Sequence, residues 1–542
     1  MPVNTVFSWL IRKRIHEIDL FRKYPVEVQG DMLHAHLRSL GRTDFGRAHG
    51  ITPETAEGMT AAAYKAAVPV RDYNALRPWI DRILEGEGDV LWPGIVELMA
   101  KSSGTTSDRS KFIPLTQEAV KGCHYKGGKD LLALYVHNKP DAKLYGGKHL
   151  VVAGSSLQPD ANHVPHTPQG PMTGDLSALL IRNLPFWCEA RRTPARNIAL
   201  MESWDEKIEK IAQRTLRKDV RILAGVPSWT QVVLERVLEL AGEEDIHKVW
   251  PNLQMYMHGG VAFAPYAEAF RRMTPTAGLD LIESYNASEG CFGIQDRLGS
   301  NEMLLMLDYG IWYEFVPLSQ LTDGLPPDFP ETLGLADIEI GVDYAPIIST
   351  NGGLHRYFIG DVIRFTSRFP FRFQVAGRTQ AHLNLAGEEL MVGDAERAMA
   401  ETAAVFGAEL RDWTATAVRV EGCDDSVHKR GLDHHAWTLE FAATTTIDLQ
   451  HFTAVLDEKL RAINSDYDVK RTGNHVLGLP DVAFAPSGTF TAWMRGRKKL
   501  GGQFKVPRLS MDTQYSEEIR ALFRKQTHDG VKPLINEGPK AL

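Results

Sequence analysis

The sequence is poor in the features that mark secreted, membrane-spanning and nucleic-acid-binding proteins. Only four of its 542 residues are cysteines, and they are scattered along the chain, so the sequence favours a reducing compartment over a disulfide framework. The formal net charge is −7 and no basic block occurs, which argues against a nucleic-acid partner. An uncharged stretch over 249–267 contains proline, asparagine, histidine and two adjacent glycines, so we expect no membrane span and no membrane partner.

Several other signatures are also missing. No Gly-x-Gly-x-x-Gly, His-Glu-x-x-His, Cys-x-x-Cys or Gly-x-Ser-x-Gly occurs, which disfavours a dehydrogenase, a zinc enzyme and a common serine hydrolase. The first twenty residues mix apolar side chains with Arg12, Lys13 and Arg14, a pattern unlike that of a signal peptide. We therefore expect a cytoplasmic protein.

The spacing of apolar residues predicts an α/β protein with two domains. Residues 1–90 repeat apolar side chains at helical intervals, and over 91–380 short apolar runs such as Leu150–Ala153, Ile198–Met201 and Leu281–Ser284 alternate with helical patterns. Strands that lead into small-residue loops present a site at the carboxyl edge of a sheet. We predict a large N-terminal domain over 1–380, helical in 1–90 and α/β in 91–380, and a small α+β domain over 385–542.

A hydroxyl-rich loop over 102–111 is the strongest local signal. It reads Ser-Ser-Gly-Thr-Thr-Ser-Asp-Arg-Ser-Lys and follows a mostly apolar run. Its hydroxyl and N–H groups can donate to a polyphosphate, and Lys111 adds a positive charge. It is not a Walker A loop, since no Gly-Lys-Ser/Thr stands at the required spacing. A phosphate-binding loop and an ordinary polar turn are both compatible with these residues alone.

Three further segments carry candidate chemistry. In Tyr-Asn-Ala-Ser-Glu-Gly, over 285–290, an acid can hold Mg²⁺ beside a nucleotide and a tyrosine can flank a base. In 353–363 the carboxylate of Asp361 follows a glycine, where it can accept from ribose hydroxyls. In 501–508, Gly-Gly-Gln-Phe-Lys-Val-Pro-Arg, Lys505 follows a glycine-rich stretch and can reach a site on another domain. Each segment alone is equally compatible with a turn or a solvated loop.

Together and in this order, the four segments resemble one family. The chain is similar to the GH3 family of acyl acid amido synthetases, of a bacterial type, within the adenylate-forming superfamily of firefly luciferase and acyl-CoA ligases. The resemblance covers nearly the whole chain and rests most on SSGTTSDRSKFIP at 102–114 and GQFKVPR at 502–508. His355 and Phe358 depart from the Tyr and Arg that are usual in plant members.

The resemblance implies a large adenylate-forming domain and a small mobile lid, with ATP and Mg²⁺ as cofactors. A small carboxylic acid would become an acyl-adenylate with release of pyrophosphate, and an amine, in most members an amino acid, would then take the acyl group. Lys505, Lys111 and Thr106 would be catalytic, and Glu289 would hold Mg²⁺. The implied ATP and AMP contacts are Ser102, Ser103, Gly104, Thr105, Thr106, Tyr285, Ser288, Glu289 and Asp361.

The acyl pocket is predicted near the helix after Thr116. Its candidate lining residues are His124, Leu223, Trp229, Gly260 and Val261, and nearby aromatic side chains favour an aromatic or flat apolar acid. Two alternatives stay open at this stage. The acyl acceptor could be a thiol of coenzyme A or of a carrier protein, or the chain could be a nucleotide-binding protein without catalysis.

Overall fold

The computed structural model describes two compact units. The first contains the described residues 2–263 and 269–379, and the second contains 266–268 and the described chain from 382 onward. The structure describes residues 2–528, except for 103–110, 155–169, 262, 264–265, 323, 380–381, 384, 386–387, 389, 420–431, 443–446, 473–476 and 498–505.

Helices form the first part of the large unit and then alternate with strands. Several begin at a threonine or aspartate whose side chain accepts from the N–H three residues later, which satisfies a free donor of the first turn; the residues that do so are Thr43, Thr52, Thr60, Asp72 and Thr116. The helices are α1 (Pro2–Lys23), α2 (Pro25–Leu40), α3 (Asp44–Ala48), α4 (Pro53–Ala56), α5 (Ala61–Ala67), α6 (Tyr73–Leu84), α7 (Gln117–Ala119), α8 (Tyr125–Asn138), α9 (Leu176–Arg182), α10 (Phe186–Glu189), α11 (Arg196–Ala199), α12 (Trp204–Thr215), α13 (Pro227–Ala241), α14 (Ile246–Val249) and α15 (Ala267–Met273).

The strands of the large unit form a three-stranded and a twelve-stranded sheet. They are β1 (Leu98–Ser102), β2 (Lys111–Leu115), β3 (Lys148–Val151), β4 (Met172–Gly174), β5 (Arg192–Thr193), β6 (Val220–Ala224), β7 (Met255–Gly259), β8 (Asp280–Ala287), β9 (Gly290–Ile294), β10 (Met303–Leu305), β11 (Ile311–Pro317), β12 (Asp343–Thr350), β13 (Tyr357–Phe358), β14 (Asp361–Arg368) and β15 (Phe371–Arg378).

The large sheet changes from parallel to antiparallel in its middle. Its order is β11-β12-β14-β15-β10-β9-β8-β7-β6-β3-β5, with β13 beside β12, while the small sheet runs β2-β1-β4. Strands β5, β3, β6, β7 and β8 pair in parallel, and β8 pairs with β9 in antiparallel fashion. The carboxyl end of β8 therefore lies where parallel α/β units meet an antiparallel meander, a place where open sheets bind ligands.

The small unit is the predicted α+β arrangement of strands and helices. Its elements are β16 (His382–Leu383), β17 (Leu390–Met391), α16 (Val392–Val405), β18 (Leu410–Val418), β19 (His434–Phe441), α17 (Leu449–Ile463), α18 (Ser465–Arg471), β20 (Asp481–Ala485), α19 (Thr489–Gly496), β21 (Leu509–Ser510) and α20 (Gln514–His528). A four-stranded sheet has the order β20-β19-β18-β21, and β16 pairs with β17.

Two local expectations differ from the structure. The run Ile198–Met201, predicted as a strand, instead contains the end of α11, and its Ala199 and Leu200 pack on a small cluster with Ala153 and Ile181. The predicted helix after Thr116 is present, but a π-helical turn, Val120–His124, separates α7 from α8. Such turns are rare and occur often at functional sites.

A buried ion pair joins the N-terminal helices to the strands. Arg356 donates from Nε and Nη2 to the two carboxylate oxygens of Glu314 at 3.0 and 2.9 Å, and both side chains are almost fully buried. Its remaining Nη1 donates to the carbonyls of Lys65 and Val68, each at 2.7 Å.

Within the described chain, none of the helices combines the length and apolar character that a bilayer crossing demands.

The buried histidines make acid stability a testable property of this fold. Burial lowers the pKa of four of them below the ordinary value of 6.5, to about 3 for the first and about 4 for the others; they are His36, His124, His258 and His355. As the pH falls, these histidines are protonated in the unfolded chain before they are protonated in the folded one. Their protonation should therefore lower the free energy of unfolding below about pH 6.5, and this effect should level off near pH 3–4. At pH 5 each of the four histidines lowers the free energy of unfolding by about 2 kcal/mol.

We predict that His36→Phe lessens the loss of thermal midpoint between pH 7 and pH 5, because it removes one of these protonations. The matched control is His34→Phe, since His34 is exposed on the same helix, α2. The measurement is thermal unfolding of both variants and of the unmodified protein at the two pH values. An equal loss in His36→Phe and the unmodified protein would contradict the prediction.

Candidate nucleotide-binding site

The β1–β2 hairpin carries two of the predicted phosphate contacts at the end where its strands meet the connecting loop. Ser102 ends β1 and Lys111 begins β2, and the two residues pair across the hairpin. Four of the predicted contacts in the loop between them, Ser103, Gly104, Thr105 and Thr106, lie outside the described residues. The described strands therefore place Lys111 at the base of the hydroxyl-rich loop.

Lys111 lies among charged and aromatic groups from distant parts of the chain. Its Nζ is 5.7 Å from the centre of the Tyr73 ring. Burial lowers the pKa of Lys111, and the nearby carboxylate of Glu289 opposes that shift. Burial likewise raises the pKa of Glu289, and the charge of Lys111 opposes it. The opposite charges of Lys111 and Glu289 therefore stabilise one another in a partly desolvated place.

Asp361 is held between two side chains from neighbouring elements. Gly360 has φ of +82°, a backbone conformation that favours glycine, and it turns the chain so that Asp361 begins β14 as a buried residue. The Tyr285 hydroxyl donates to one carboxylate oxygen, and Arg378 Nε lies 2.8 Å from the other. The carboxylate is thus fixed in direction, as a group that recognises a ligand should be.

Tyr285, Ser288 and Glu289 come from the β8–β9 turn. Tyr285 lies near the end of β8, and its ring packs on Phe292 of β9 with centroids 4.9 Å apart. Ser288 is buried and Glu289 is partly exposed, and both lie between the strands. The structure therefore brings Tyr285 and Asp361 into direct contact, and the charge of Glu289 acts on both Asp361 and Lys111.

The predicted acyl contact His124 lies beside the same turn. It ends the π-helical turn, and its Nδ1 is 3.1 Å from the Asn286 side-chain oxygen. That nitrogen therefore carries the proton, because an amide oxygen only accepts. Burial lowers the pKa of His124 to about 4, so the ring is neutral at pH 7.

The other acyl candidates lie around the carboxyl ends of β6 and β7. Leu223 is fully buried in β6, and Trp229, in the first turn of α13, packs at 4.2 Å against the Trp204 ring. Gly260, with φ of +80°, and the partly exposed Val261 follow the end of β7. These positions agree with a pocket at the carboxyl edge, and the assignment of each residue to the acyl group stays a prediction.

In the small unit, the end of the fourth motif is fixed to β18. The Arg508 guanidinium lies 5.2 Å from the Trp413 ring centre and donates to Asp412 and to the Trp413 carbonyl. The Arg508 carbonyl accepts from Ala415 N–H at 2.8 Å. Lys505 itself lies outside the described residues, so its role stays a prediction.

Two site residues were missed at the sequence level. Arg378 stands opposite Asp361 because β14 and β15 form a hairpin around Phe369–Pro370, and counting outward from that turn would have found the pair. Tyr73 gave no local signal, because it begins a helix almost forty residues before Lys111 and meets it only through the fold.

The carboxylate of Glu289 fits a magnesium ion in the way that nucleotide enzymes use one. Among the described residues no three His, Cys, Asp or Glu side chains converge as a closed metal site. Mg²⁺ at nucleotide sites takes one or two carboxylates and completes its shell with phosphates and water. A single partly exposed carboxylate beside a lysine agrees with that donor set.

The fold of this chain is similar to the folds of two solved ligases. A solved 2-hydroxyisobutyryl-CoA ligase in a postadenylation state has a TM-score of 0.58 at 12% identity, with 92% of this chain and 91% of that chain covered. A solved GH3.15 acyl acid amido synthetase in complex with 2,4-DB has a TM-score of 0.72 at 18% identity, with 91% and 93% covered.

The chain belongs to the GH3 family. Models of its N-terminal, central and C-terminal domains match residues 14–279, 304–378 and 393–514. An indole-3-acetic acid-amido synthetase GH3.8 of Oryza sativa subsp. indica is 24% identical over 82% of both chains. A jasmonoyl–L-amino acid synthetase JAR4 of Nicotiana attenuata is 23% identical over 93% of this chain and 94% of its own.

Several sequence-level expectations are thereby confirmed. The family, the α/β adenylate-forming fold class and the enzyme class, a ligase that forms an amide bond, are those the motifs indicated. The bacterial type, the domain boundaries and the individual site residues stay predictions.

We predict that Asp361→Asn weakens the binding of AMP and of ATP alike by about 10- to 100-fold, because it removes a charged hydrogen-bond acceptor held by Tyr285 and Arg378. Titration calorimetry with AMP measures the effect. The control is Asp343→Asn, whose carboxylate pairs with Arg364 at 2.7 Å on a more exposed face. A change of less than twofold in Asp361→Asn would be evidence against a ribose contact.

Proposed function

We propose that this protein is an ATP-dependent acyl acid amido synthetase that joins a small carboxylic acid, aromatic or flat and apolar, to an amino acid. The acid is first activated as an acyl-adenylate, and the amine then displaces AMP. The observation that carries the proposal is the proximity of Lys111, Glu289, Tyr285 and Asp361, which come from three separate motifs.

The first half-reaction brings two anions together. A carboxylate oxygen of the acid forms a bond to the α-phosphorus of ATP, and the bond from that phosphorus to the bridging oxygen of pyrophosphate breaks. Repulsion between the carboxylate and the phosphates must be offset by fixed positive groups and donors. Lys111 supplies a cation for the departing pyrophosphate, and Glu289 holds Mg²⁺, which supplies charge neutralisation at the phosphates when it is bound.

The nucleoside half of ATP needs groups that hold it without reacting. The carboxylate of Asp361 accepts from the ribose hydroxyls, because the bonds from Tyr285 and Arg378 fix its direction. Ser288 and the ring of Tyr285 lie toward the adenosine and α-phosphate. These assignments rest on the contacts of Asp361 with Tyr285 and Arg378 and on the motifs that contain Tyr285, Ser288 and Asp361.

The second half-reaction forms the amide. The neutral amine attacks the acyl carbon, the bond to the AMP oxygen breaks, and the amine loses a proton. His124 bonds the Asn286 side chain, and its low pKa keeps it neutral, so we expect it to contact the acyl group as a hydrogen-bonding or apolar surface and not as a cation.

The small unit acts as a mobile lid in this proposal. Rotation about the segment between the two units, near 380–385, presents Lys505 to the α-phosphate and carboxylate in one half-reaction and removes it in the other. The anchoring of Arg508 to β18 supports this proposal, because it fixes the end of the motif that contains Lys505 to the small unit.

The function is tested by ATP–pyrophosphate exchange with a panel of aromatic, indole and aliphatic acids, followed by product analysis with amino acids and with thiols. We expect exchange with one class of acid and an amide product with amino acids only. A thioester with coenzyme A and no amide would overturn the choice of acceptor. Binding of Mg·ATP without exchange in the presence of any acid or amine would favour a binding protein.

We predict that Lys505→Ala slows one half-reaction by at least 100-fold more than the other, because the lysine is used in only one position of the lid. The two steps are separated by pyrophosphate exchange and by the release of AMP from pre-formed acyl-adenylate. Lys470→Ala, in α18 of the same unit, is the control. Equal, small losses in both steps would remove Lys505 from the reaction.

A further inference from the structure

We infer that Tyr73, a residue of the N-terminal helices, is a positioning residue for Lys111 and so for recognition of the ATP phosphates. The inference rests on the proposed role of Lys111 and adds a residue that lies outside all four motifs. Its ring lies 5.7 Å from Lys111 Nζ, and its hydroxyl oxygen accepts from the N–H of Phe112 at 2.8 Å.

These two contacts act on different parts of the hairpin. The hydrogen bond holds the main chain of β2 one residue after Lys111. The ring offers its negative face to the ammonium group, an attraction that is stronger where water is partly excluded. One side chain therefore fixes both the start of the strand and the end of the lysine, whose four-carbon stem is otherwise flexible.

Tyr73 is itself held on two sides. It is the first residue of α6, and the Asp72 side chain caps that helix by accepting from Ala75 N–H at 2.9 Å. Two residues before Tyr73, Arg71 forms a parallel bridge with Tyr357, and the Arg71 carbonyl accepts from Phe358 N–H at 2.8 Å. The segment 71–73 thus joins the strand that leads to Asp361 with the hairpin that carries Lys111.

This arrangement predicts a selective effect on nucleotide binding. Lys111 serves the outer phosphates, so a misplaced Lys111 weakens the binding of ATP but leaves AMP unaffected. Loss of the ring in Tyr73→Leu should weaken the binding of α,β-methylene-ATP with Mg²⁺ by about 3- to 30-fold and change the affinity for AMP by less than about twofold. Tyr73→Phe retains the ring and should recover most of the affinity for the ATP analogue.

The experiment is titration calorimetry of both nucleotides with Tyr73→Leu, Tyr73→Phe, Lys111→Gln and the double variant Tyr73→Leu/Lys111→Gln. If Tyr73 acts through Lys111, the leucine substitution adds less than about twofold when Lys111 is already glutamine. The matched control is Trp79→Leu, which removes a similar contact on the same helix, between Trp79 and Arg82 at 5.5 Å; it should leave the ratio of the two affinities unchanged.

Three results would overturn the inference: additive losses in the double variant, an equal loss in Tyr73→Phe and Tyr73→Leu, or parallel losses for AMP and the ATP analogue. The failure of the proposed function would have a different appearance. In that case the unmodified protein would bind neither nucleotide, or Lys111→Gln would bind the ATP analogue as well as the unmodified protein does.

Discussion

The buried pair of Arg356 and Glu314 is the interaction on which the nucleotide site depends. Two charges removed from water are costly unless each finds several partners. Arg356 satisfies this condition with both oxygens of Glu314 and with the carbonyls of Lys65 and Val68. The pair therefore connects β11, the end of α5 and the residue before β13, three segments that share no sequence proximity.

The connection made by this ion pair affects the chain leading to Asp361 and the chain leading to Tyr73. Arg356 has φ of +44°, an uncommon conformation for a residue with a side chain, and its ion pair keeps the main chain there. Five residues later the chain reaches Asp361, and from Val68 it reaches Tyr73 within one short extended segment. A charge pair far inside the protein thus fixes the chain close to both Asp361, the proposed ribose contact, and Tyr73, the proposed positioning residue of Lys111.

The opposite charges of Lys111 and Glu289 lie close together in a partly desolvated part of the site. Alone, burial would favour a neutral Lys111 and a protonated Glu289, as the directions of their pKa shifts show. The charge of each group opposes the shift in the pKa of the other. Bound phosphates would add negative charge near Lys111, and Mg²⁺ held at Glu289, as proposed, would offset it.

The sequence predicted the motifs and the fold class but not the contacts among them. Ser102, Lys111, Glu289 and Asp361 were found because each stands in a short pattern of small and polar residues beside an apolar run. The apolar pattern of Ile198–Met201 predicts a strand, which is wrong, because four apolar residues carry no information on the groups they pack against. Arg378 and Tyr73 escaped because a pairing register and a long-range ring contact are set by tertiary structure.

The proposed role of the small unit as a lid is supported by the anchoring of Arg508 more than by the sequence motif that contains Lys505. Arg508 lies across the Trp413 ring and bonds Asp412, while the carbonyls of Arg508 and Pro507 accept from the Ala415 N–H and the Thr414 hydroxyl. Lys505 lies outside the described residues, so the proposal that it serves only one half-reaction depends on the fixed end of its motif and not on a position of the lysine itself.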